Sequence, residues 1–307
     1  FRVGDFYETF GADAIKASKI LGITLTSRAN GSSKIELAGF PHHSIDTYLP
    51  RLVRSGQRVA ICDQLEDPKA TKNIVKRGVT ELVTPGVSYR DTISDQNSNN
   101  FLAAVSLGEN NIGVSFLDNS TGEFLVTEGK VDYIDKLLQS FSPSEIIFEK
   151  SKRREFEDKF GDGFFTQMID DWVFTEDYSE ELLLNQFSTK SLKGFGIEKL
   201  EAGTISAGAV LHYLKETHHH LTKHISTISR IEQEKYVWMD RFTIRNLELF
   251  YSSNENAKTL IDILDFTLSA MGSRMIKRWV ALPLKEKKQI DRRLEIVQFI
   301  LNNKDFK

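Results

Sequence analysis

The spacing of apolar positions changes several times along the 307 residues, and each change predicts a different kind of element. The first 86 residues alternate between helical spacing and short strand-like runs, a pattern typical of a small mixed α/β domain. One predicted helix ends at Gly22, and a second has Ser44 as its N-cap and ends at Gly56. Pro50 lies inside the second helix, where its missing N–H predicts a kink or an early end. Four segments predict strands: ITLTSR (23–28), KIELAGF (34–40), RVAICDQL (58–65) and GVTELVTPG (78–86).

A polar stretch separates this first pattern from the next. Residues 89–99 carry almost no apolar side chains and predict a linker. Three short strands then follow in quick succession, joined by tight turns, and they predict a meander: NFLAAVSL, NIGVSFLD and GEFLVTE. A helix, a strand and further helices come next, which is the element order of a ribonuclease-H-like domain.

From about residue 201 the pattern is helical, and no internal repeat interrupts it. We therefore predict a multidomain α/β and α protein. Its parts are a small mixed α/β domain (1–88), a linker (89–99), a ribonuclease-H-like α/β domain (100–228) and the beginning of an all-α domain (229–307).

Composition adds two constraints. The single cysteine, Cys62, lies in the apolar run VAIC and is predicted to be a buried structural thiol of a reduced, intracellular protein. No apolar run approaches the roughly 18 residues of a membrane span. The sequence begins without Met and without a signal-peptide pattern, which indicates a fragment trimmed at its N-terminus.

Charge is distributed unevenly along the chain. Residues 1–90 contain 13 Lys and Arg against 9 Asp and Glu, a balance of +4, whereas the remainder carries 27 against 34, a balance of −7. A mildly basic first domain permits a polyanionic partner, although this imbalance alone does not demonstrate one.

Enzymatic chemistry finds little support in the motifs. A metal-dependent nuclease needs clustered carboxylates, but the first strand of the meander has none and Asp118 stands alone at the end of the second. An acidic-x-Lys pattern at Asp67-Pro68-Lys69, behind Asp63, is too short to be specific. His220 and His224 have helical metal-ligand spacing without a completing ligand, which favours a solvated surface. The sequence also lacks a phosphate-binding loop. We predict no catalytic and no metal-binding residues.

The opening motif GDFYE allows two interpretations. In the structural one, Asp5 is an N-cap and Glu8 closes a capping box, so that Phe6 joins Phe10, Ala14, Ala17 and Leu21 on a buried helical stripe. In the functional one, Phe6 points outward as a wedge that stacks on a nucleic-acid base, and Glu8 meets a base edge. The pattern alone favours the structural interpretation.

Resemblance to a known family changes this balance. FRVGDFYETFGADAIKASKILGITLTSR, LAGFPHHSIDTYLPRLVRSGQRVAICDQLEDP and VKRGVTELVTPGV resemble the mismatch-recognition domain of the MutS family of DNA mismatch repair proteins. The meander resembles the connector domain of that family. MDRFTIRNLELF and LDFTLSAMGSRMIKRWVALPL resemble the start of its helical core domain.

The resemblance implies roles for individual residues. Phe6 would stack on the mispaired base, and Glu8 would form a hydrogen bond with the same base. Arg28, in the SRANG loop, and Arg77, in VKRG, are candidates for contacts to the DNA backbone, the alternative for each being a solvated charge. Pro50 departs from the helix expected of the family.

The resemblance also implies properties of a longer protein. This chain would contain no cofactor, whereas the whole protein would be a DNA-dependent ATPase that uses ATP and Mg²⁺. It would act as a dimer in the bacterial cytosol, bind duplex DNA with mismatches or small insertion/deletion loops, and recruit a MutL-type protein. Two alternatives remain: a MutS-related structural or recombination protein that does not read mismatches, and a metal-dependent nuclease.

Overall fold

A computed structural model of the chain describes residues 1–30, 33–66, 75–87, 97–217, 222–237, 239–252, 254 and 257–303. Of the predicted linker, only residues 97–99 belong to this part. Within the described ranges, no helix combines the length and apolar character that crossing a membrane requires.

In its described residues, the first domain contains two antiparallel sheets and two α-helices. The larger sheet consists of β1 (Arg2–Val3), β2 (Phe6–Phe10), β3 (Thr26–Asn30) and β4 (Ser33–Pro41), in the spatial order β1-β2-β4-β3. The smaller sheet pairs β5 (Val59–Gln64) with β6 (Arg77–Val83). The helices are α1 (Gly11–Leu21) and α2 (Ile45–Arg54). The four predicted strand segments of this domain are thus confirmed, with ends shifted by a few residues.

The opening motif is a strand, so the predicted capping box at Asp5 and Glu8 is wrong. Gly4, at a φ of 60°, turns the chain between β1 and β2, and β2 then pairs with β4 along its whole length. Backbone hydrogen bonds across this ladder satisfy the donors that a capping box would have served. Helix α1 begins only at Gly11 and ends at Leu21, with Gly22 as its C-cap in agreement with the predicted stop, and Ala14, Ala17 and Leu21 are buried.

Helix α2 corrects two expectations. It runs through Pro50 to Arg54, so the predicted early end at Pro50 is wrong. Pro50 is buried on the same helix as Leu49, Leu52 and Val53, and this packing offsets the hydrogen bond that its missing N–H cannot make. Ser44 holds the N-cap position, but within residues 33–66 its side chain makes no capping hydrogen bond.

The core of the first domain lies between the helices and one face of the larger sheet. Tyr7 of β2 and Phe40 of β4 pack with Leu21 of α1 and Leu52 of α2. Cys62 on β5 is a free, buried thiol, which confirms its predicted burial. The other face of the larger sheet carries none of these core side chains.

The second domain is organised around a six-stranded mixed sheet. Its strands are β7 (Phe101–Leu107), β8 (Ile112–Asp118), β9 (Glu123–Gly129), β10 (Glu145–Glu149), β11 (Thr166–Ile169) and β12 (Ser229–Arg230). Their spatial order is β11-β10-β7-β8-β9-β12. The meander β7-β8-β9 is antiparallel as predicted, whereas β10 runs parallel to β7 and β11 parallel to β10.

Helices cover both faces of this sheet. They are α3 (Val131–Phe141), α4 (Arg153–Phe160), α5 (Glu176–Phe187) and α6 (Glu201–Glu216). One apolar cluster joins the sheet to α5 and α6, and a second joins it to α3 and α4. Every residue of β7 and β8 is consequently buried, as expected for strands covered on both sides.

Gly113 on β8 lies directly beneath the first turn of α6. A Cβ at this position would overlap the backbone carbonyl of Ala202 and press on the backbone N of Gly203. We therefore expect Gly113→Ala to lower the free energy of unfolding by about 1–3 kcal/mol, because α6 must move off the sheet. Urea unfolding measures this loss. Gly163→Ala is the matched control, since a Cβ there would have no described neighbour within 4 Å; equal midpoints for both variants would contradict the expectation.

The C-terminal region is helical, as predicted, but it is divided into short helices. These are α7 (Arg241–Asn246), α8 (Leu260–Leu264), α9 (Ala270–Ala281) and α10 (Lys287–Asn302). Ser269 caps α9 through its hydroxyl, and Thr259 forms a capping box with Asp262 at the start of α8. In α10 the apolar residues stay exposed, including Leu294, Phe299 and Leu301.

Candidate nucleic-acid interface

Strand β2 presents Phe6 and Glu8 on one face of the larger sheet and Tyr7 on the opposite face, because side chains alternate along a strand. Tyr7 belongs to the core, whereas Phe6 is 46% exposed. The expectation that Phe6 shares a buried stripe with Ala14 and Leu21 is therefore wrong. Phe6 belongs to neither apolar cluster of the first domain.

An open groove with a volume of about 500 Å³ lies over this face of the sheet. The groove extends from β2 to the segment between α1 and β3. Its lining consists of Phe6, Glu8, Gly22, Ile23, Thr24, Thr26, Leu37 and Gly39. Phe6 stands at its edge with the ring accessible, which leaves space for a flat ligand to approach.

Gly39 keeps this groove open beside Glu8. It pairs with Glu8 across the β2–β4 ladder, so any side chain there would project onto the same face. A Cβ at Gly39 would lie 2.8 Å from the backbone oxygen of Tyr7 and 3.2 Å from Cγ of Glu8. Glycine thus allows the Glu8 carboxylate to reach the groove without a neighbouring side chain over it.

The Glu8 carboxylate has an unsatisfied acceptor. Its Oε2 is shielded from water and accepts no hydrogen bond from the described residues, while Nη1 of Arg28 lies 3.9 Å away. A shielded carboxylate oxygen without a donor costs free energy, and such atoms in a native structure point to function. A donor on a ligand in the groove would satisfy it.

Arg28 lies on β3, at the register position opposite Ile35, and not in a loop as expected. Its side chain is 60% exposed and is oriented toward Glu8. The structure therefore brings Phe6, Glu8 and Arg28 onto one face of the sheet.

Arg77 does not join these three residues. It is the first residue of β6, and its Nε donates a hydrogen bond to the carbonyl of Arg2 over 2.8 Å. Its Nη1 donates a second hydrogen bond to the carbonyl of Val75 over 3.0 Å. Arg77 thus supports the back of β1, and contact of its guanidinium with DNA stays a prediction.

A carboxylate on the opposite face of the sheet holds β2 in place. Asp63, on β5, accepts hydrogen bonds from the Tyr7 hydroxyl over 2.8 Å and from Nη1 of Arg2 over 3.1 Å, and its Oδ1 also accepts the backbone N–H of Gln64. Although desolvation opposes the shift, these hydrogen bonds and the Arg2 charge lower the pKa of Asp63 below its ordinary value. The sequence pattern indicated Asp63 only as a possible nuclease carboxylate, because nothing in its local pattern indicates Tyr7 as its partner.

A second carboxylate links the first domain to the second. Glu145, at the start of β10, is fully buried and accepts hydrogen bonds from Thr84 Oγ1 (2.5 Å), the Gly86 N–H (3.0 Å) and the Tyr213 hydroxyl (2.7 Å). Burial raises the pKa of Glu145 above its ordinary value, against the effect of these donors. The guanidinium carbon of Arg58 lies 5.8 Å from the centre of the Tyr213 ring. No sequence motif marks this network.

Among the described residues, the side chains considered as metal ligands do not form a common site. Asp118 is buried and accepts hydrogen bonds from Ser120 Oγ and Asn99 Nδ2, which makes it part of a turn. Within the described ranges, no three His, Cys, Asp or Glu side chains form a group that could hold a metal ion. His224 lies in a turn and not on a helix, with Nε2 2.6 Å from the carbonyl of Asn119. His220 and the Asp67-Pro68-Lys69 pattern lie outside the described residues.

Comparison with known proteins gives the same family along the whole chain. Family models described as MutS domain I, MutS domain II and MutS domain III match residues 1–92, 100–226 and 242–307. The DNA mismatch repair protein MutS of Christiangramia forsetii is 62% identical over 303 residues, which covers 99% of this chain and 35% of that protein.

Further relatives have the same name and a similar coverage. The DNA mismatch repair protein MutS of Flavobacterium psychrophilum is 62% identical over 306 residues, covering 99% of this chain and 35% of that protein. That of Bacteroides thetaiotaomicron is 58% identical over 308 residues, covering 100% of this chain and 36% of that protein. The chain therefore spans about a third of the length of these curated relatives.

Proposed function

The chain belongs to the MutS family of DNA mismatch repair proteins, and from this premise we propose that its first domain binds duplex DNA at mismatches and small loops. The Phe6 ring enters the duplex as a wedge and stacks on the mispaired base. The observation that carries this proposal is the exposure of Phe6 beside Glu8 on the uncovered face of the sheet. A relative's name, DNA mismatch repair protein MutS, supports the same DNA substrate.

Discrimination follows from two opposing free energies. Stacking of a base on an aromatic ring contributes about 1–3 kcal/mol, and opening a base step costs a few kcal/mol, less where the pairing is already faulty. A matched step therefore resists the wedge, and a mismatched step accepts it. Phe6 supplies the stacking surface because its ring is exposed and its strand is held in a sheet.

Glu8 contributes selectivity of a different kind. A carboxylate near phosphates is repelled, and it binds favourably only where a base edge offers a donor or where it takes up a proton. The Glu8 carboxylate, which lines the groove and whose Oε2 accepts no hydrogen bond from the described residues, would accept such a donor. The exposed guanidinium of Arg28, on the same face, would contact the DNA backbone, and Arg77 is retained as a weaker candidate because its donors already bind carbonyls.

The whole protein would add functions that this chain does not contain. We propose that the second domain is a ribonuclease-H-like connector, which is supported by the strand order β11-β10-β7-β8-β9 and by the parallel pairing of β10 with β7. It passes the binding event to an ATPase that uses ATP and Mg²⁺, in a dimer that acts in the cytosol and recruits a MutL-type protein. The two alternatives, a recombination protein and a nuclease, find less support, since Phe6 is exposed and the described carboxylates form no metal cluster.

Binding to matched and mismatched DNA tests this proposal. Residues 1–307 replace the matching region of the Christiangramia forsetii relative, so that the protein has the length of its family, and we call this protein the chimera. Fluorescence anisotropy at low salt, where phosphate contacts are strongest, compares a G·T duplex with its matched twin. We expect tighter binding to the G·T duplex by about tenfold or more. Equal affinities, or no binding, would contradict the proposal.

Glu8 variants separate charge from hydrogen bonding. In the chimera we expect both Glu8→Gln and Glu8→Ala to bind matched DNA more tightly, by about threefold to tenfold, because a repulsive carboxylate is lost. Only Glu8→Gln keeps an acceptor, so it should retain more of the preference for the G·T duplex. The matched control is Glu36→Gln, which removes a carboxylate from the other face of the same sheet. If Glu36→Gln strengthens binding equally, the effect of Glu8 is general electrostatics.

A further inference from the structure

The back of the recognition strand is attached to a second sheet through one carboxylate. We propose that Asp63 is a positioning residue for Phe6 and Glu8 and acts through the hydroxyl of Tyr7; this inference rests on the proposed function. Tyr7 lies between the two groove residues in sequence, and its hydroxyl donates to Oδ2 of Asp63 over 2.8 Å.

On this side of β2 the backbone ladder is short. Strand β1 contains Arg2 and Val3, which pair with Tyr7 and Phe6, and two further backbone hydrogen bonds join Phe1 to Glu8. Its Arg2 side chain donates to Oδ1 of Asp63, and its carbonyl accepts a hydrogen bond from Arg77. Two side chains of the larger sheet, Tyr7 and Arg2, therefore converge on Asp63 of β5, and Arg77 of β6 binds the backbone of β1 separately.

The hydrogen bond between Tyr7 and Asp63 becomes important when the Phe6 ring is inserted into DNA. Stacked bases push on the Phe6 ring, and the displacement acts on a five-residue strand near the edge of its sheet. Backbone pairing with β4 holds β2 within the sheet, but a strand without a further attachment would yield more, and part of the stacking free energy would be lost in the movement of the protein. Because Tyr7 is bonded to Asp63, the displacement is resisted by the β5–β6 pair, and Phe6 and Glu8 keep their spacing relative to the groove.

The negative charge of Asp63 strengthens its hydrogen bonds with Tyr7 and Arg2. Hydrogen bonds to an ionised carboxylate are shorter and stronger than those between neutral groups. Asp63 is ionised at neutral pH, as an ordinary aspartate is, and its pKa is lowered further: desolvation acts in the opposite direction, and the bonds from Tyr7, Gln64 and Arg2 outweigh it. Both of its oxygens are used, Oδ2 by Tyr7 and Oδ1 by Arg2 and Gln64.

The test uses the chimera and the ratio of its dissociation constants for matched and G·T duplexes. We expect Tyr7→Phe and Asp63→Ala each to lower this ratio about threefold to tenfold. The ratio of the double variant should be no lower than that of whichever single variant has the lower ratio. Asp63→Asn keeps one oxygen for the Tyr7 hydroxyl but replaces the other, which accepts from Arg2 and Gln64, by an amide donor, so it should lower the ratio less than Asp63→Ala does. Thr9→Val is the matched control, since it removes a hydrogen bond from the same face of β2 to the carbonyl of Ala38.

A structural role alone would give a different result. If Tyr7→Phe lowers the melting temperature as Thr9→Val does but leaves the ratio unchanged, Asp63 is not a positioning residue. Multiplying effects in the double variant would also overturn the inference, because the two residues would then act independently. Phe6→Ala distinguishes the remaining cases. If Phe6→Ala reduces the ratio to one while Tyr7→Phe leaves the ratio unchanged, only the positioning role of Asp63 fails. If Phe6→Ala leaves the ratio unchanged, the proposed function itself is overturned.

Discussion

Phe6→Ala in the chimera is expected to abolish the preference for a G·T duplex while the protein stays folded. The substitution removes the ring that would stack on the mispaired base, a loss of about 1–3 kcal/mol, or roughly 5-fold to 150-fold in affinity for the mismatch. Affinity for matched DNA should change little, since the wedge does not enter a matched step. Anisotropy with the two duplexes measures both constants, and circular dichroism measures the fold.

Stability is the decisive control for this prediction. Phe6 is 46% exposed and lies outside the apolar clusters, so its removal leaves no cavity in the core. Trp172→Ala serves as the matched variant, because Trp172 is an aromatic side chain, 55% exposed, on the second domain. A loss of preference in both variants, or unfolding of Phe6→Ala, would show that the ring is not a specific wedge.

Glu145→Ala is expected to cost the largest amount of stability, about 3–5 kcal/mol at neutral pH. The substitution removes a fully buried carboxylate and leaves three donors without an acceptor: the Thr84 hydroxyl, the Gly86 N–H and the Tyr213 hydroxyl. Thr84 and Gly86 lie within the residues matched by MutS domain I, and Glu145 and Tyr213 within those matched by MutS domain II. The junction of the two domains should therefore loosen, which urea unfolding and limited proteolysis at residues 84–87 would detect.

The neutral isostere Glu145→Gln separates hydrogen bonding from charge. Its oxygen can accept from Thr84 and Gly86, and its amide can donate to the Tyr213 oxygen, so its stability should remain within about 1 kcal/mol of the original. If Glu145→Ala is no less stable than Glu145→Gln, the network does not hold the junction.

The pH dependence of Glu145 has a defined sign. Burial raises the pKa of Glu145 above its ordinary value of 4.5 in the folded protein. The protonated form is thus favoured by folding, so its contribution is fully present below pH 4.5 and is lost as the pH rises through the raised value. The difference in unfolding free energy between the original protein and Glu145→Gln should fall over this range, and a flat difference would show that Glu145 does not titrate differently on folding.

The local pattern of the chain predicted much of the second domain. The meander β7-β8-β9 and the helix α3 were confirmed because their apolar runs are long and are separated by turn residues.

In α2 of the first domain, the helical pattern persisted through Pro50, where the rule for proline alone predicted an interruption. Continuous amphipathic pattern outweighed a single unfavourable residue.

The predicted helix across the C-terminal segment was less successful. LIDILDFTLSAMGSRMIKRWV forms two helices, α8 and α9, because Asp265 and Thr267 bond to each other and Ser269 caps the second helix. Side chains that bond to nearby backbone compete with a continuous helix. This competition is local, but its result depends on where the flanking helices pack.

Residue identity and spacing were enough to predict most elements in their order, and resemblance to a known family, not spacing, indicated the family and the candidates Phe6, Glu8 and Arg28. That the opening motif is a strand depends on contacts between distant parts of the chain. The spacing of Phe6 and Phe10 suits a helix or one face of a strand, and the backbone partner that selects the strand is β4, about 30 residues away. Tyr7 and Asp63 are likewise 56 residues apart, and Glu145 and Tyr213 are 68 apart. Hydrogen bonds over such separations depend on the folded backbone, so no local pattern contains them.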